Sequence, residues 1–243
     1  MRTYMADLHI HTCLSPCGDL RMSPRVIVET ALAQGLDLIS VTDHNTCGMA
    51  GTVGDLAREN GLSFLYGIEV QTQEEVHLLA YFDDLDSCTA FSAEIYPFLP
   101  DVPNDPVHFG DQVVVDATDE IIRVEPRLLL NSVTLSLEEV VARVRNRGGL
   151  AVPAHVDRTG FGIMYQLGFI PPGLGFSIIE LDGDEIPPGC EKYAVLHSSD
   201  AHYPEEIGRR TSLLTLERVS VEELRRAAAG VGGRSIEYGR RRR

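Results

Sequence analysis

The first apolar run of this chain ends in Asp7-Leu8-His9-Ile10-His11, where two histidines alternate with hydrophobic residues. Four more apolar runs end in potential metal ligands, at Thr42-Asp43-His44, Ile68-Glu69, Ala154-His155 and Ser199-Asp200-Ala201-His202. Residues from the ends of several strands converge only where those strands lie side by side. Imidazole and carboxylate groups together suit zinc, manganese and iron. The pattern therefore predicts a metal centre at the strand ends.

Around these motifs, short apolar runs alternate with segments of helical period. The predicted strands are 5–9, 38–42, 64–69, 76–82, 150–155, 177–181 and 194–199. Helix starts are indicated by Ser23-Pro24 and by two capping boxes, Ser136 with Glu139 and Ser220 with Glu223. This alternation is typical of βα units, so it predicts an α/β fold with a largely parallel sheet.

The composition restricts the class of protein. The chain has 243 residues, 44% of them hydrophobic, which is enough to bury the core of one large domain. Its formal net charge of -15 makes nucleic acid an unfavourable partner, because lysine and arginine mainly hold phosphate backbones. Five cysteines, an odd number, without secretory flanks or a long apolar stretch, predict reduced thiols in the cytoplasm and no membrane partner. The oligomeric state is not indicated.

The predicted organisation is a single domain over 1–232, followed by a basic C-terminal tail over 233–243. The segment 97–131 interrupts the βα alternation and is rich in proline and aspartate, so we interpret it as an insertion or lid. Within it, 112–116 and 120–124 could pair as a hairpin.

Strand geometry assigns the first roles. Alternate residues of a strand face the same side, so His9 and His11 can present nitrogens to one ion, with Asp7 on that side as a supporting group. Glu69 is a candidate bridge between two ions, because an unpaired buried carboxylate would be unfavourable there. Asp43 is expected to orient a neighbouring imidazole.

Taken in order, these motifs resemble the PHP family, named for polymerase and histidinol phosphatase, from Asp7 to His202. The resemblance implies a distorted (β/α)7 TIM-like barrel with two or three divalent ions, zinc, manganese or iron, at the C-terminal ends of its strands. It also implies these ligand sets: His9, His11, Glu69 and Asp200 for the first ion, Glu69, His77 and His155 for the second, and His44 with His202 for a third.

One position departs from the family pattern. Pro16 stands where relatives commonly have an Asp or His ligand of the third ion, so Asp19 or Cys17 are the possible substitutes, with a packed structural thiol as the alternative for Cys17. Arg158 follows the Ala154-His155 motif and is predicted to clamp a substrate phosphate or, alternatively, to form a salt bridge with Asp157 or another acid.

The function implied is a metal-dependent phosphoesterase that hydrolyses a small phosphorylated molecule, a phosphomonoester or nucleotide, with hydroxide generated by the ions. Glu69, Asp200 and His202 are the predicted catalytic residues, His202 as a possible acid toward the leaving group. The alternatives are a metal-dependent amidohydrolase, a DNA 3′ exonuclease-like module and a non-catalytic metal-binding regulator. His108 is expected on the surface or lid, and His197 in the core or beside a ligand.

Overall fold

The computed structural model describes residues 1–239. The strands in this part of the chain are β1 (Arg2–Ile10), β2 (Leu38–Val41), β3 (Ser63–Phe64), β4 (Tyr66–Gln71), β5 (His77–Phe82), β6 (Val113–Val115), β7 (Ile121–Val124), β8 (Leu150–Pro153), β9 (Ile178–Glu180), β10 (Ala194–Leu196), β11 (Thr211–Leu216) and β12 (Ser235–Gly239). The α-helices are α1 (Pro24–Ala33), α2 (Ala50–Glu59), α3 (Leu85–Ile95), α4 (Pro106–Phe109), α5 (Leu137–Asn146), α6 (Ile163–Gln166) and α7 (Val221–Ala228). The predicted mixed α/β class is confirmed.

Strand pairing divides the described residues into four sheets, ordered β12-β11-β1-β2-β3, β4-β5-β8, β10-β9 and β6-β7. No continuous closed barrel is formed by the pairing within residues 1–239. Single backbone bridges also link Ile10 of β1 with Ala201, which follows β10, and Glu69 of β4 with His44, which follows β2.

The expectation of a largely parallel sheet is wrong, because β11 runs antiparallel to β1 and β12, and β5 runs antiparallel to β4 and β8. For β5 the reason is a local turn. Thr72 donates its N–H to Val76 O, Glu75 donates to Thr72 O, and Glu75 adopts a left-handed φ of 59°, so a tight turn follows β4. Such a turn reverses the chain, whereas a parallel pair needs a long crossover.

The core explains why the predicted ligands lie at strand ends. Alternate residues of β1, namely Tyr4, Ala6 and Leu8, pack in one buried cluster. Its other members include Leu38, Leu79, Val152 and Leu196 from neighbouring strands. A second cluster packs helices α1, α2, α3 and α5 on the outside. Polar side chains therefore begin where β1 leaves the apolar interior.

Helix starts agree largely with the sequence signals. Ser136 and Glu139 form a complete capping box at α5, and α1 begins at Pro24. At α7 the Ser220 hydroxyl accepts from the Glu223 N–H, but the Glu223 carboxylate contacts Arg234 instead of closing the box.

The predicted insertion contains α4 and the hairpin of β6 and β7, which confirms the pairing expected within 112–124. The predicted tail needs correction, since β12 pairs along β11 and carries 235–239 into the first sheet. The remaining part of that tail, Arg240-Arg241-Arg242-Arg243, lies outside the described residues. Within 1–239, no helix combines the length and apolar character needed to cross a bilayer.

Candidate metal centre

The first group of predicted ligands converges at the ends of β1 and β4 and after β10. His9 Nε2 lies 3.2 Å from His11 Nε2 and 3.3 Å from Glu69 Oε1. Asp200 Oδ1 lies 3.2 Å from His9 Nε2 and 3.1 Å from His11 Nε2. Four side chains from three separate parts of the sequence thus direct one donor atom each at a common point.

Glu69 also takes part in a second group. Its Oε1 lies 2.9 Å from His77 Nδ1 and 3.2 Å from His155 Nε2, and these two nitrogens are 3.3 Å apart. Its Oε2 lies 3.1 Å from His44 Nδ1. The Glu69 carboxylate therefore stands between the groups, as expected for a bridging ligand.

The third group lies beside the first. The His202 ring stacks on the His11 ring with centroids 4.3 Å apart. Donor atoms of His11, Cys17, His44 and His202 all lie within 4.8 Å of one another.

Buried polar atoms without a hydrogen-bond partner show whether these residues are suited to bind divalent cations. Glu69 Oε2, Asp200 Oδ1 and His44 Nδ1 are buried and have no hydrogen-bond partner among residues 1–239. A buried polar atom without a partner costs about 1–3 kcal/mol, and more when it is charged. Coordination of a cation would satisfy all three, and the donor set is one that zinc, manganese and iron accept. The residues therefore fit the ions that the family pattern implies.

The ionisation of the cluster agrees with this interpretation. Burial opposes ionisation of Glu69, yet the imidazoles of His77 and His9 hold its pKa well below the usual range. Burial would lower the pKa of His11, but the acceptor oxygens of Asp200 and Glu69 favour the protonated ring and raise its pKa to about 9. Burial lowers the pKa of His44, and it lowers that of His202 to about 4. The protons on the first group are those that cations displace on binding.

Two of the predicted ligands occupy strained backbone. His155 has φ 26° and Asp200 has φ 49°, in the left-handed region that non-glycine residues seldom adopt. Each such residue costs roughly 1–2 kcal/mol, and strain of this kind clusters at functional sites. Here it turns both side chains back toward Glu69 from the ends of their strands.

Two orienting residues were not predicted from the sequence. Glu180 Oε2 accepts from His9 Nδ1 at 2.9 Å and from the His155 N–H at 3.1 Å. Gln71 Oε1 lies 3.0 Å from His77 Nε2, which turns Nδ1 toward Glu69. The signal for Glu180 was a lone acid in the apolar stretch 177–181, to which the argument used for Glu69 applies equally.

The two predicted supporting aspartates act differently. Asp43 accepts from the Thr12 N–H at 2.8 Å and from Ser15 Oγ at 2.7 Å, and Ser15 Oγ lies 3.0 Å from His11 Nδ1. Asp43 thus reaches the imidazole through a serine. Asp7 accepts the N–H groups of Ser199 at 2.9 Å and Gly208 at 2.8 Å, so its contacts brace the loop before Asp200.

Arg158 pairs with an acid other than Asp157. Its Nη1 donates to Asp200 Oδ2 at 2.6 Å, and its Nε lies 3.5 Å from Asp182 Oδ2. Asp157 instead accepts the N–H groups of Asp182 and Gly183. The Arg158 side chain is 30% exposed and lines the cavity.

The cluster opens into a cavity of about 320 Å³, whose lining also includes Cys17, Leu130, Arg158 and Phe161. The Phe161 ring stacks on His77 with centroids 4.5 Å apart. A larger depression of about 650 Å³ beside α2 and α3 has no histidine in its lining. His108 is exposed on α4 beside Asp105, and His197 is buried against Tyr238, both outside the cavity.

The fold and the cluster define an α/β protein with a histidine and carboxylate centre suited to several divalent ions. A family model described as PHP domain matches residues 7–148, more than half of the chain. The chain therefore belongs to the PHP domain family.

Individual relatives are more distant. A 5′-3′ exoribonuclease of Haemophilus influenzae is 33% identical over 69 residues, which cover 28% of this chain and 24% of that protein. The chain spans less than half the length, 45% and 24%, of the two curated relatives that it matches.

Two solved structures share the fold. The lesion-specific endonuclease EndoQ from Pyrococcus furiosus aligns with TM-score 0.72 and 21% identity, over 97% of this chain and 58% of that one. A protein described as a metal-dependent phosphoesterase from Bifidobacterium adolescentis aligns with TM-score 0.56 and 20% identity, over 81% and 87%.

Proposed function

We propose that this protein is a metal-dependent phosphoesterase acting on a small phosphorylated molecule, a phosphomonoester or a nucleotide. The observation that carries the proposal is the position of Arg158. Its half-buried guanidinium lies beside Asp200 in the wall of the same cavity into which the ligand cluster opens. A planar fork of donors next to several cations is the arrangement that binds a phosphoryl group.

The proposed ligand sets follow the groups of donor atoms. His9, His11, Glu69 and Asp200 hold the first ion. Glu69, His77 and His155 hold the second, and His44 with His202 belong to a third. When bound, such ions would lower the pKa of a coordinated water to about 7 and neutralise charge on a phosphoryl group.

The chain's own residues prepare this chemistry. Glu180 fixes His9 so that Nδ1 donates to the carboxylate and the Nε2 lone pair points at the centre. Gln71 does the same for His77 from the opposite ring nitrogen. Arg158 holds the phosphoryl oxygens, and the apolar side chains of Leu130 and Phe161 limit access of water. No covalent bond to the enzyme is needed.

His202 serves in this proposal as a ligand instead of an acid. Its Nδ1 donates to Asp200 O at 2.8 Å, which leaves the lone pair on Nε2. Burial lowers the pKa of the imidazole to about 4, so the neutral ring predominates at pH 7.

We further propose that the strands surround the interior cluster as the distorted (β/α)7 barrel of the family. The bridges of Ile10 with Ala201 and of His44 with Glu69 support this, as does the hydrogen bond from Val156 N to Glu180 O at 2.9 Å. We also propose a reducing compartment, which the five unpaired cysteines support.

The test is hydrolysis by the purified full chain, supplied with manganese or zinc, of a panel of phosphomonoesters, mononucleotides and amides. We expect turnover of at least one phosphate ester. Glu69→Gln should lower kcat/KM more than about 100-fold, beyond the loss typical of outer partners of a ligand. The matched control Glu59→Gln, an exposed carboxylate at the end of α2, should keep full activity. Full activity of Glu69→Gln would refute the proposal.

Nucleic acid hydrolysis is the second candidate, favoured by the stretch shared with the exoribonuclease and opposed by the net charge of -15. Two further arms of the panel, a 5′-phosphorylated RNA oligonucleotide and a DNA duplex with an abasic site, decide between them. A kcat/KM for either polymer above that for every small ester would replace the proposed substrate class. Cleavage of amides alone would indicate an amidohydrolase, and bound metal without any turnover would indicate a regulatory module.

A further inference from the structure

The loop that follows β1 brings a thiol to the wall of the cavity. Cys17 is half-buried, and its Sγ lies within 4.8 Å of donor atoms of His11, His44 and His202. The other four cysteines are buried and are not part of the cavity lining.

The thiol is held in this position by the backbone. Gly18 donates its N–H to Ser15 O at 2.8 Å, and a Cβ at Gly18 would lie only 2.6 Å from Thr12 O, so the turn requires glycine. Asp19 donates its N–H to His202 O at 2.9 Å, which ties the loop to the segment that carries His202. Cys17 therefore faces the imidazoles without any rearrangement of the loop.

The insertion supports the same loop from outside. Gly110 has φ 98° and packs against the carbonyl of Pro16 with no space for a side chain. Val113 donates its N–H to Cys13 O at 3.2 Å. The segment 97–131 thus contacts the loop at two points that precede Cys17.

The competing carboxylate is already engaged. Asp19 Oδ1 accepts from the Arg21 N–H at 2.8 Å and from Arg21 Nε at 3.0 Å, and Arg21 also pairs with Glu205. Asp19 is absent from the cavity lining of the described residues. Of the two substitutes that the sequence allows, the geometry selects the cysteine.

The ring nitrogen that each histidine leaves without a hydrogen-bond partner decides which ion that histidine can bind. An imidazole nitrogen offers one lone pair, and His11 directs Nε2 at His9 and Asp200 while Nδ1 contacts Ser15 Oγ. His202 donates through Nδ1, so its Nε2 is free. His44 Nδ1 is buried with no hydrogen-bond partner in the described chain.

We infer that Cys17, as a thiolate, completes a third cation site with His44 and His202, and that this site takes a thiophilic divalent ion of the zinc class. The inference rests on the proposed metal dependence and not on the substrate. Thiolate sulfur favours zinc, whereas manganese and magnesium prefer oxygen. Two imidazoles and one thiolate would supply three protein ligands, the number found in catalytic zinc sites. Binding releases the thiol proton to solvent.

The experiment uses the purified full chain, stripped of metal and titrated with Zn²⁺, Mn²⁺ and Co²⁺. We expect about three zinc but about two manganese ions per chain, and a near-ultraviolet thiolate-to-cobalt absorption band in the Co²⁺ form. Cys17→Ser should lose this band and one zinc ion. Asp19→Asn tests the competing ligand and Cys190→Ser is the matched thiol control; both should keep the band and the ion.

A second measurement needs no variant. Zn²⁺ should slow alkylation of Cys17 by iodoacetamide at least about 10-fold in the wild-type chain, because a zinc-bound thiolate is no longer free to react. Absence of the cobalt band in the wild type, its persistence in Cys17→Ser, or loss of the third zinc in Asp19→Asn would each overturn the inference. Hydrolysis with only two ions bound would support the proposed function and contradict the third cation site. Binding of three ions without hydrolysis would support the third site and contradict the proposed function.

Discussion

Two carboxylates of this protein are almost completely buried, and their surroundings differ in kind. Glu223 Oε2 in α7 accepts from Arg234 Nε at 2.7 Å and from the Glu217 N–H at 2.8 Å. Glu69 at the centre faces five imidazoles within 3.4 Å, and its Oε2 has no hydrogen bond within residues 1–239. Both carboxylates lose water, but only Glu223 recovers its charge balance from within the chain. The difference identifies Glu69 as the group that needs a partner from outside.

The largest expected effect therefore comes from removing that partner. Treatment with a chelator should abolish hydrolysis and lower the melting temperature by about 5–15 °C, from ligand concentrations about 100–1,000 times Kd and the usual slope for a domain of this size. Differential scanning calorimetry with and without the chelator measures the shift. Re-addition of zinc or manganese is the control and should restore both properties.

An unchanged melting temperature in the chelated protein would remove the contrast between the two carboxylates. It would mean that the imidazoles alone satisfy Glu69, as Arg234 satisfies Glu223.

A smaller effect is expected at Glu180, which orients His9 and His155 without facing the common point itself. Glu180→Gln keeps the shape of the side chain but weakens the charge-assisted contact to His9 Nδ1. Metal affinity should fall about 10–100-fold, as is typical for such outer partners. Titration with Zn²⁺ against a competing chelator measures it, and Glu185→Gln on the exposed loop beyond β9 is the control. Equal affinity in both variants would show that Glu180 has only a structural role.

These residues also show what the sequence could and could not predict. Glu69 and Asp200 end apolar runs, where a charge stands out against the strand, so both could be placed at the centre. Glu180 is the last residue of β9 and is followed by the apolar Leu181, and its role depends on His9, which is 171 positions away. The choice between Cys17 and Asp19 likewise depends on Arg21, whose side chain turns back to hold the aspartate. The reversal of β5 followed from a four-residue turn whose conformation local propensity does not indicate.

The smallest expected effect comes from removing the charge of Glu223, the carboxylate that is balanced within the chain. Hydrogen bonds from Arg234 and from the Glu217 backbone lower the pKa of this carboxyl from 4.5 to about 2. Because the folded pKa is depressed, the stabilisation is fully present above pH 4.5 and is lost as the pH falls toward about 2.

Glu223→Gln should thus lower the melting temperature by a few degrees at pH 7, with metal content and turnover unchanged. The difference in unfolding free energy between wild type and variant, measured by urea denaturation of the metal-free chains, should shrink as the pH falls from 5 to 3. A constant difference would show that Glu223 is not balanced by Arg234, and a loss of bound metal would show that the two regions are not independent.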